Sequence, residues 1–233
     1  MRDNTITIVL VCNDHFAILL ATLIKSLTYN HSSEELLSIY IVNDKISLRT
    51  QTKIIDFFKD EHLDINWLSM SDVIDRNIDL PSDSSTFPSN VYVRLFIPMF
   101  LPKTIKKAIY LDVDMIVCTD ISLLWNIDLG EYPVAAVRDR SQTVSSKWGG
   151  ITNYKELGLA PETPYFNSGL LILNLDIWRS DNITSKIITS INSNIKYAKI
   201  PDQYGINIVL ANKIMELDYK WNCYPHLAEK NPN

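Results

Sequence analysis

Cysteine is scarce and scattered. Cys12, Cys118 and Cys223 are odd in number, lie far apart and form no C-x-x-C. That excludes a zinc ribbon or a disulfide framework and points to a reducing compartment. Positive charge is also in deficit, with 22 Lys and Arg against 27 Asp and Glu and a formal net charge of -5. Such a balance excludes nucleic-acid binding by phosphate neutralisation. A phosphorylated ligand would instead need a metal cation or a local basic patch. No apolar run approaches the ~20 residues of a membrane span. The N-terminus, MRDNTITIVLVCNDH, turns polar after one strand length and does not read as a signal peptide. These absences place the protein in the cytoplasm with no transmembrane segment, and leave peripheral membrane contact open. Internal repeats, low-complexity stretches and a domain boundary are absent too.

What is present is an ordinary globular composition, 46% hydrophobic and 21% charged over 233 residues. That length suits one large α/β domain. Ile6–Cys12 is apolar and β-branched, a buried strand. His15–Asn30 follows as a helix with Asp14 as its N-cap. Leu36–Asp44 reads as a second strand, Ser47–His62 as an amphipathic helix capped by Ser47, and Asp64–Met70 as a third strand. Ser71–Phe87 carries turn residues and forms a long loop or short helix. Pro88–Pro102 is a helix bracketed by prolines, and Lys107–Leu111 a strand. Later come a strand at Tyr132–Asp139, a polar segment Arg140–Pro164, a strand at Tyr165–Leu175, and helices at Ile177–Asn192 and Asp202–Ala211. Strands alternating with helices imply a mainly parallel sheet flanked by helices, with ligands bound outside the strands' carboxyl ends. Asn13, Asp14, Asp44, Asp112, Asp114 and Asp139 all sit at such ends.

Within KKAIYLDVDMIVCTDISLLW, the apolar run Ala108–Leu111 meets Asp112, Val113 and Asp114. An unpaired buried carboxylate costs several kcal/mol, and two of them repel. On an extended backbone, side chains two apart point the same way. Asp112 and Asp114 would then converge on one hard divalent cation. The plain alternative is that the strand has ended and both are solvated turn residues. A third reading is a haloacid-dehalogenase-type phosphatase, with the first Asp as nucleophile. Its motif carries Thr or Val where Ile116 stands here, and it usually lies near the N-terminus.

The segments VYVRLFIPMFLPKTIKKAIYLDVDMIVCTDISLLWNIDL, FNSGLLILNLDIW, PDQYGIN and KWNCYP occur in that order. Together they closely resemble glycosyltransferase family 8, which includes bacterial lipopolysaccharide galactosyl- and glucosyltransferases and glycogenin. The resemblance runs from about Ile6 to Pro225. It implies a single GT-A (Rossmann-like) nucleotide-sugar-binding domain over residues 1–233, with a mainly parallel mixed sheet. It also implies a retaining enzyme that moves glucose or galactose from a UDP-sugar to a glycan, lipid-linked glycan or protein.

The resemblance further assigns residues. Asp112 and Asp114, with Val113 between them, would hold Mn2+ (or Mg2+) bridging the donor diphosphate. Val11, Asn13 and Phe16 would approach uridine, with Phe16 packing on the base; alone, Phe16 would pass for a core helix residue. Arg94 would lie near the diphosphate, its plain reading being an exposed or ion-paired helix arginine. Asp139 and Asn167 would contact the donor sugar, as would Asp202, with Gln203 beside the anomeric carbon. A neutral amide is a poor nucleophile, so displacement on one face, with the leaving phosphate helping to deprotonate the acceptor, is the easier chemistry. The family's third metal ligand is a histidine in H-x-x-G-x-x-K-P-W, which this chain lacks. His226 and Lys230 stand four apart without the glycine. The expectation is a chain truncated before that motif, which keeps a catalytically weak nucleotide-sugar-binding protein as an alternative.

Overall fold

The computed structural model describes residues 5–74, 80–81 and 89–224. Its elements run β1 (Thr5–Asn13), α1 (Ala17–Asn30), β2 (Leu36–Asp44), α2 (Leu48–Phe58), β3 (Leu63–Ser69) and α3 (Met70–Val73). Then come α4 (Val93–Phe100), β4 (Lys107–Leu111), α5 (Ser122–Trp125), β5 (Val134–Thr143) and β6 (Pro164–Asn174). The chain continues through α6 (Leu175–Ser180), α7 (Ile183–Ser193), α8 (Pro201–Val209) and β7 (Ile214–Leu217). The seven strands form one sheet in the order β3-β2-β1-β4-β6-β5-β7. Only β6 runs against its neighbours, antiparallel to both β4 and β5. The expected mainly parallel mixed sheet flanked by helices is the sheet observed.

Both faces of the central strands are buried, which is why they read as continuous apolar runs rather than alternating ones. Ile6, Ile8 and Leu10 of β1 and Ile109 and Leu111 of β4 pack with α1 and α2 on one face. Val9, Ala108 and Tyr110 pack on the other face with α4, α6, α7 and α8. The period-2 alternation therefore sends Tyr110 toward α4 and Ile109 away from it. α4 is fixed from its far end, where Arg179 donates to the carbonyls of Pro98 (2.7 Å), Ile105 (2.9 Å) and Leu101 (3.0 Å). A guanidinium suits the partial negative charge at a helix C-terminus.

Several sequence expectations need correction. Asp14 does not cap α1: Asn13 accepts from the Phe16 N–H and caps a short 3-10 turn over Asp14–Phe16, while Asp14 takes the Ser47 N–H at 3.1 Å. The helix expected over Ile177–Asn192 is two helices. It breaks at Asp181 and Asn182, where Asn182 adopts φ 52°, a conformation its short polar side chain tolerates. β7 was not anticipated, since four residues between turns give too little periodicity to recognise. Ser47 does cap α2, accepting from the Thr50 N–H. The loop expected over Ser71–Phe87 falls largely outside the described residues.

α8 approaches α7 closely enough that a Cβ at Gly205 would lie 2.7 to 2.9 Å from Ile187 and Ile191 side-chain carbons. Gly205→Ala gains about 1 kcal/mol in helix propensity, while overpacking costs roughly 1–3 kcal/mol. The expected result in urea unfolding is a net loss of about 1 kcal/mol at unchanged m-value. A raised midpoint would show that α8 has room to spare.

Candidate active site

The site forms where β6 runs the opposite way to its neighbours. Leu111 at the end of β4 pairs with Leu170 of β6, and the Asp112 N–H donates to the Gly169 carbonyl at 2.8 Å. The early residues of β6 thus lie beside the carboxyl end of β4. Between the pairs Ala136–Leu171 and Arg138–Phe166, β5 advances two residues and β6 five. Asn167, Ser168 and Gly169 therefore leave the β5 ladder and turn their polar groups elsewhere, the usual consequence of a bulge. Asn207 of α8 steadies the irregular stretch, accepting from the Phe166 N–H at 2.7 Å and donating to its carbonyl at 2.8 Å. That contact also brings Asp202 and Gln203, at the start of α8, onto Ser168.

Arg94 of α4 is the hub. Its buried guanidinium donates to Asp112 Oδ1 (3.0 Å), to the Ser168 carbonyl (2.7 Å) and hydroxyl (3.2 Å), and to the Val91 carbonyl (3.2 Å). Its Nε also stands 3.2 Å from Asp202 Oδ2. The Tyr110 ring lies 4.5 Å below it, and the Tyr110 hydroxyl donates to Asp112 Oδ1 at 2.7 Å. Burial works against the guanidinium charge, but Asp112, Tyr110 and Asp202 outweigh it and raise the Arg94 pKa. Burial lifts the Asp112 carboxyl above the usual carboxylate range, with Arg94 pulling the other way. It likewise holds the Tyr110 phenol well above its ordinary value, which keeps it a donor.

A second set of bonds continues from Ser168. Its hydroxyl donates to Asp202 Oδ2 at 2.8 Å, and its N–H to Gln203 Oε1 at 3.2 Å. Gln203 Nε2 donates to Asp139 Oδ2 at 3.2 Å, and Asn167 Nδ2 donates to both Asp139 Oδ2 (3.3 Å) and Gln203 Oε1 (3.2 Å). Asn167 Oδ1 accepts from Asn222 Nδ2 at 2.9 Å. Six of the residues named from sequence, Arg94, Asp112, Asp139, Asn167, Asp202 and Gln203, thus share one network. It opens onto a cleft of about 690 Å³ lined by Asp112, Asp114, Asn167, Gly169, Asn222 and Tyr224, among others.

Asp112 and Asp114 do not sit on an extended strand. β4 ends at Leu111, and the Met115 N–H bonds to the Asp112 carbonyl in a turn. The turn still presents both carboxylates to the cleft, with Asp114 exposed and Asp112 half-buried. Val113 packs its side chain into the α1–α2 core instead, which leaves its backbone for any donor contact. The pairing of Val9 with Tyr110 sets Val11 and Asn13 at the same edge of the sheet. Phe16 is 45% exposed there, not a core residue, with its ring edge-on to His15. His226 and Lys230 lie outside the described residues.

The family described as "Glycosyl transferase family 8" matches residues 7–233. The chain belongs to that family. It is 29% identical to General stress protein A of Bacillus subtilis, covering 98% of this chain and 77% of that protein. It is 28% identical to a putative glycosyltransferase of Haemophilus influenzae, covering 96% of this chain and 64% of that one. The chain thus spans less than two thirds of the second relative. A solved structure of an active-site mutant of LgtC superimposes with a TM-score of 0.80 at 21% identity, over 98% of this chain and 78% of that one. The fold is the GT-A fold of such enzymes.

Membership in family 8 implies a nucleotide-sugar donor, usually with a metal. The donor set fits a hard cation. Asp112 Oδ1 is taken by Arg94 and Tyr110, but Oδ2 lies in a cradle that a side chain at Gly169 would fill, 2.7 Å from where its Cβ would stand. With Asp114 this gives two carboxylates on one cleft, oxygen ligands suited to Mn2+ or Mg2+. Among the described residues no group of three or more His, Cys, Asp or Glu side chains is placed to hold a metal.

Tyr110, Ser168, Gly169 and Asn222 were not singled out from sequence. For Tyr110 the signal was available: it is two residues before Asp112 on an alternating strand, the one polar-tipped residue of KAIYL that shares its face. Ser168 and Gly169 needed the β6 irregularity, which no local pattern announces.

The family-8 carboxylate turn is held downstream by a clamp. Asp120 accepts from the N–H groups of Ser32 (2.8 Å), Ser33 (3.2 Å) and Ser122 (2.9 Å), and His31 Nδ1 lies 3.1 Å away. Asn30 Nδ2 donates to the Val117 carbonyl at 2.9 Å. Burial acts to raise the Asp120 carboxyl, but the bonds from Ser122 and Ser32 outweigh it and hold it well below the usual range. A pKa lowered by folding contributes stability above the unfolded value, near 4, and loses it as pH falls through the folded one. Asp120→Ala should therefore cost about 1.5–3 kcal/mol at pH 7. In urea titrations at stepped pH, the gap to the wild type should begin to narrow below about pH 4 and go on shrinking as the folded value is approached; a gap constant down to the lowest pH would contradict the clamp.

Proposed function

We propose that this chain is a retaining hexosyltransferase that moves glucose or galactose from a UDP-sugar to a glycan, lipid-linked glycan or protein acceptor, with Mn2+ or Mg2+ as cofactor. The observation that carries this reading is the shared network. One buried guanidinium fixes Asp112 at the cleft, and through Ser168 the same network fixes Asp202 and Gln203. Family membership favours transfer over the phosphatase reading of the D-x-D sequence.

In this reading Asp112 Oδ2 and Asp114 would hold the cation, which would supply Lewis-acid stabilisation of a departing diphosphate. Phe16, with Val11 and Asn13, receives the uracil, a planar base suited to an exposed aromatic. Asp139, Asn167 and Asp202 orient the donor sugar. Gln203 already spends its amide on Ser168, Asn167 and Asp139, so it is fixed in orientation rather than poised to attack. Transfer then proceeds on one face of the sugar. The bond from the anomeric carbon to the phosphate oxygen breaks, the bond to the acceptor oxygen forms, and the acceptor proton passes to the leaving phosphate. Arg94 acts by holding Asp112 and Asp202 in place.

UDP should raise the melting temperature when manganese is present, by the equivalent of about 2.7 kcal/mol at a hundred-fold excess over Kd. The shift should vanish with EDTA or in Asp114→Asn. Manganese without nucleotide should bind weakly in calorimetry, because among the described residues two carboxylates, Asp112 and Asp114, are the acidic side chains on the cleft. A shift by UDP that ignores EDTA would overturn the metal role, and turnover with an inverted anomer in the NMR spectrum would overturn retention.

A further inference from the structure

Arg140 follows Asp139 directly and is exposed. Its guanidinium carbon lies 4.9 Å from the centre of the Trp148 ring and 5.6 Å from that of Tyr224. Trp148 remains 64% exposed. The loop beneath this exposed indole is tightly built. The hydroxyls of Ser141 and Ser146 both donate to the Trp148 carbonyl, at 2.7 and 2.9 Å. Gly149 takes φ 78°, and a Cβ at Gly150 would lie 2.5 Å from the carbonyls of Val144 and Ser146. The Ser141 N–H in turn donates to Asp139 Oδ1 at 2.9 Å. The loop is therefore rooted on the carboxylate whose other oxygen holds Asn167 and Gln203. On the opposite side, Tyr224 lines the cleft with Asp112 and Asp114.

We propose that Trp148, Arg140 and Tyr224 form a stacking platform for a saccharide acceptor at the mouth of the cleft. The assignment rests on the hexosyltransferase reading for what the bound sugar is used for. Its physical basis is the two-sided character of a pyranose. One face is a patch of C–H groups that packs on an indole, and the rim is a ring of hydroxyls that needs donors and acceptors. Arg140 supplies donors in a planar fork beside the indole, and packing between two rings reduces the freedom it would lose on binding. Tyr224 lines the cleft and feels both Asp139 and Arg140, so a sugar held there would abut the donor sugar.

The test is a saturation-transfer NMR titration with a defined panel: the methyl α- and β-glucosides and galactosides, lactose and maltose, with UDP and manganese present. At least one glycoside should bind the wild type. Its Kd should rise at least ten-fold in Trp148→Ala and stay within about three-fold in Trp148→Phe, which keeps an aromatic face. Failure of every glycoside to bind, or equal binding by Trp148→Ala, would overturn the platform. UDP release from UDP-glucose and UDP-galactose by the wild type is measured in parallel. Its absence would sink the hexosyltransferase reading, while the titration would still decide whether the indole holds a sugar.

Discussion

A buried guanidinium with nowhere to put its charge would cost several kcal/mol, and the site is arranged around meeting that demand. Arg94 reaches Asp112 on one side and Asp202 on the other, with the Ser168 carbonyl between them and Tyr110 beneath. A buried pair of this kind is weak evidence for net stability, since apolar residues of similar volume often do as well. What it supplies is geometry. Asp112 comes from the end of a central strand and Asp202 from the start of a helix far along the chain, and one planar fork fixes both.

The sheet makes that meeting possible. Because β6 alone runs against its neighbours, its first residues arrive at the edge where β1 and β4 end. Its irregular pairing with β5 frees Asn167, Ser168 and Gly169 from the ladder, and Asn207 supplies the bonds that a strand would otherwise have made. Gly169 matters by what it lacks: any side chain there would occupy the space beside Asp112 Oδ2. Arg179 anchors the far end of α4, so the helix that carries Arg94 is held at both ends by charged contacts.

Much of this was readable from sequence, for reasons that also mark the limits. β2 and β4 fell within the expected residues because continuous apolar runs bounded by polar ones leave little choice. The carboxylates at strand ends pointed to one shared edge, and the network joins two of them, Asp112 and Asp139. An extended backbone would point Asp112 and Asp114 the same way, whereas a turn begins at Asp112. The positive partner sought for those carboxylates is in part already present, as Arg94. That escaped a local reading because the two residues lie 18 positions apart and meet only through the packing of α4 on β4. The cap at Asn13 rather than Asp14, and the break at Asn182, turn on competition between short polar side chains for nearby N–H groups, which residue type alone does not decide.

A planar, multiply bonded guanidinium, not merely a positive charge, assembles the site. Arg94→Lys separates the two, since lysine keeps the charge and loses the fork. In urea unfolding at neutral pH the variant should lose about 1–3 kcal/mol, as expected when the charge is kept but buried acceptors lose their hydrogen-bond donors. A midpoint unchanged from the wild type would mean that charge alone suffices, and the account of how Asp112 and Asp202 are held would be wrong.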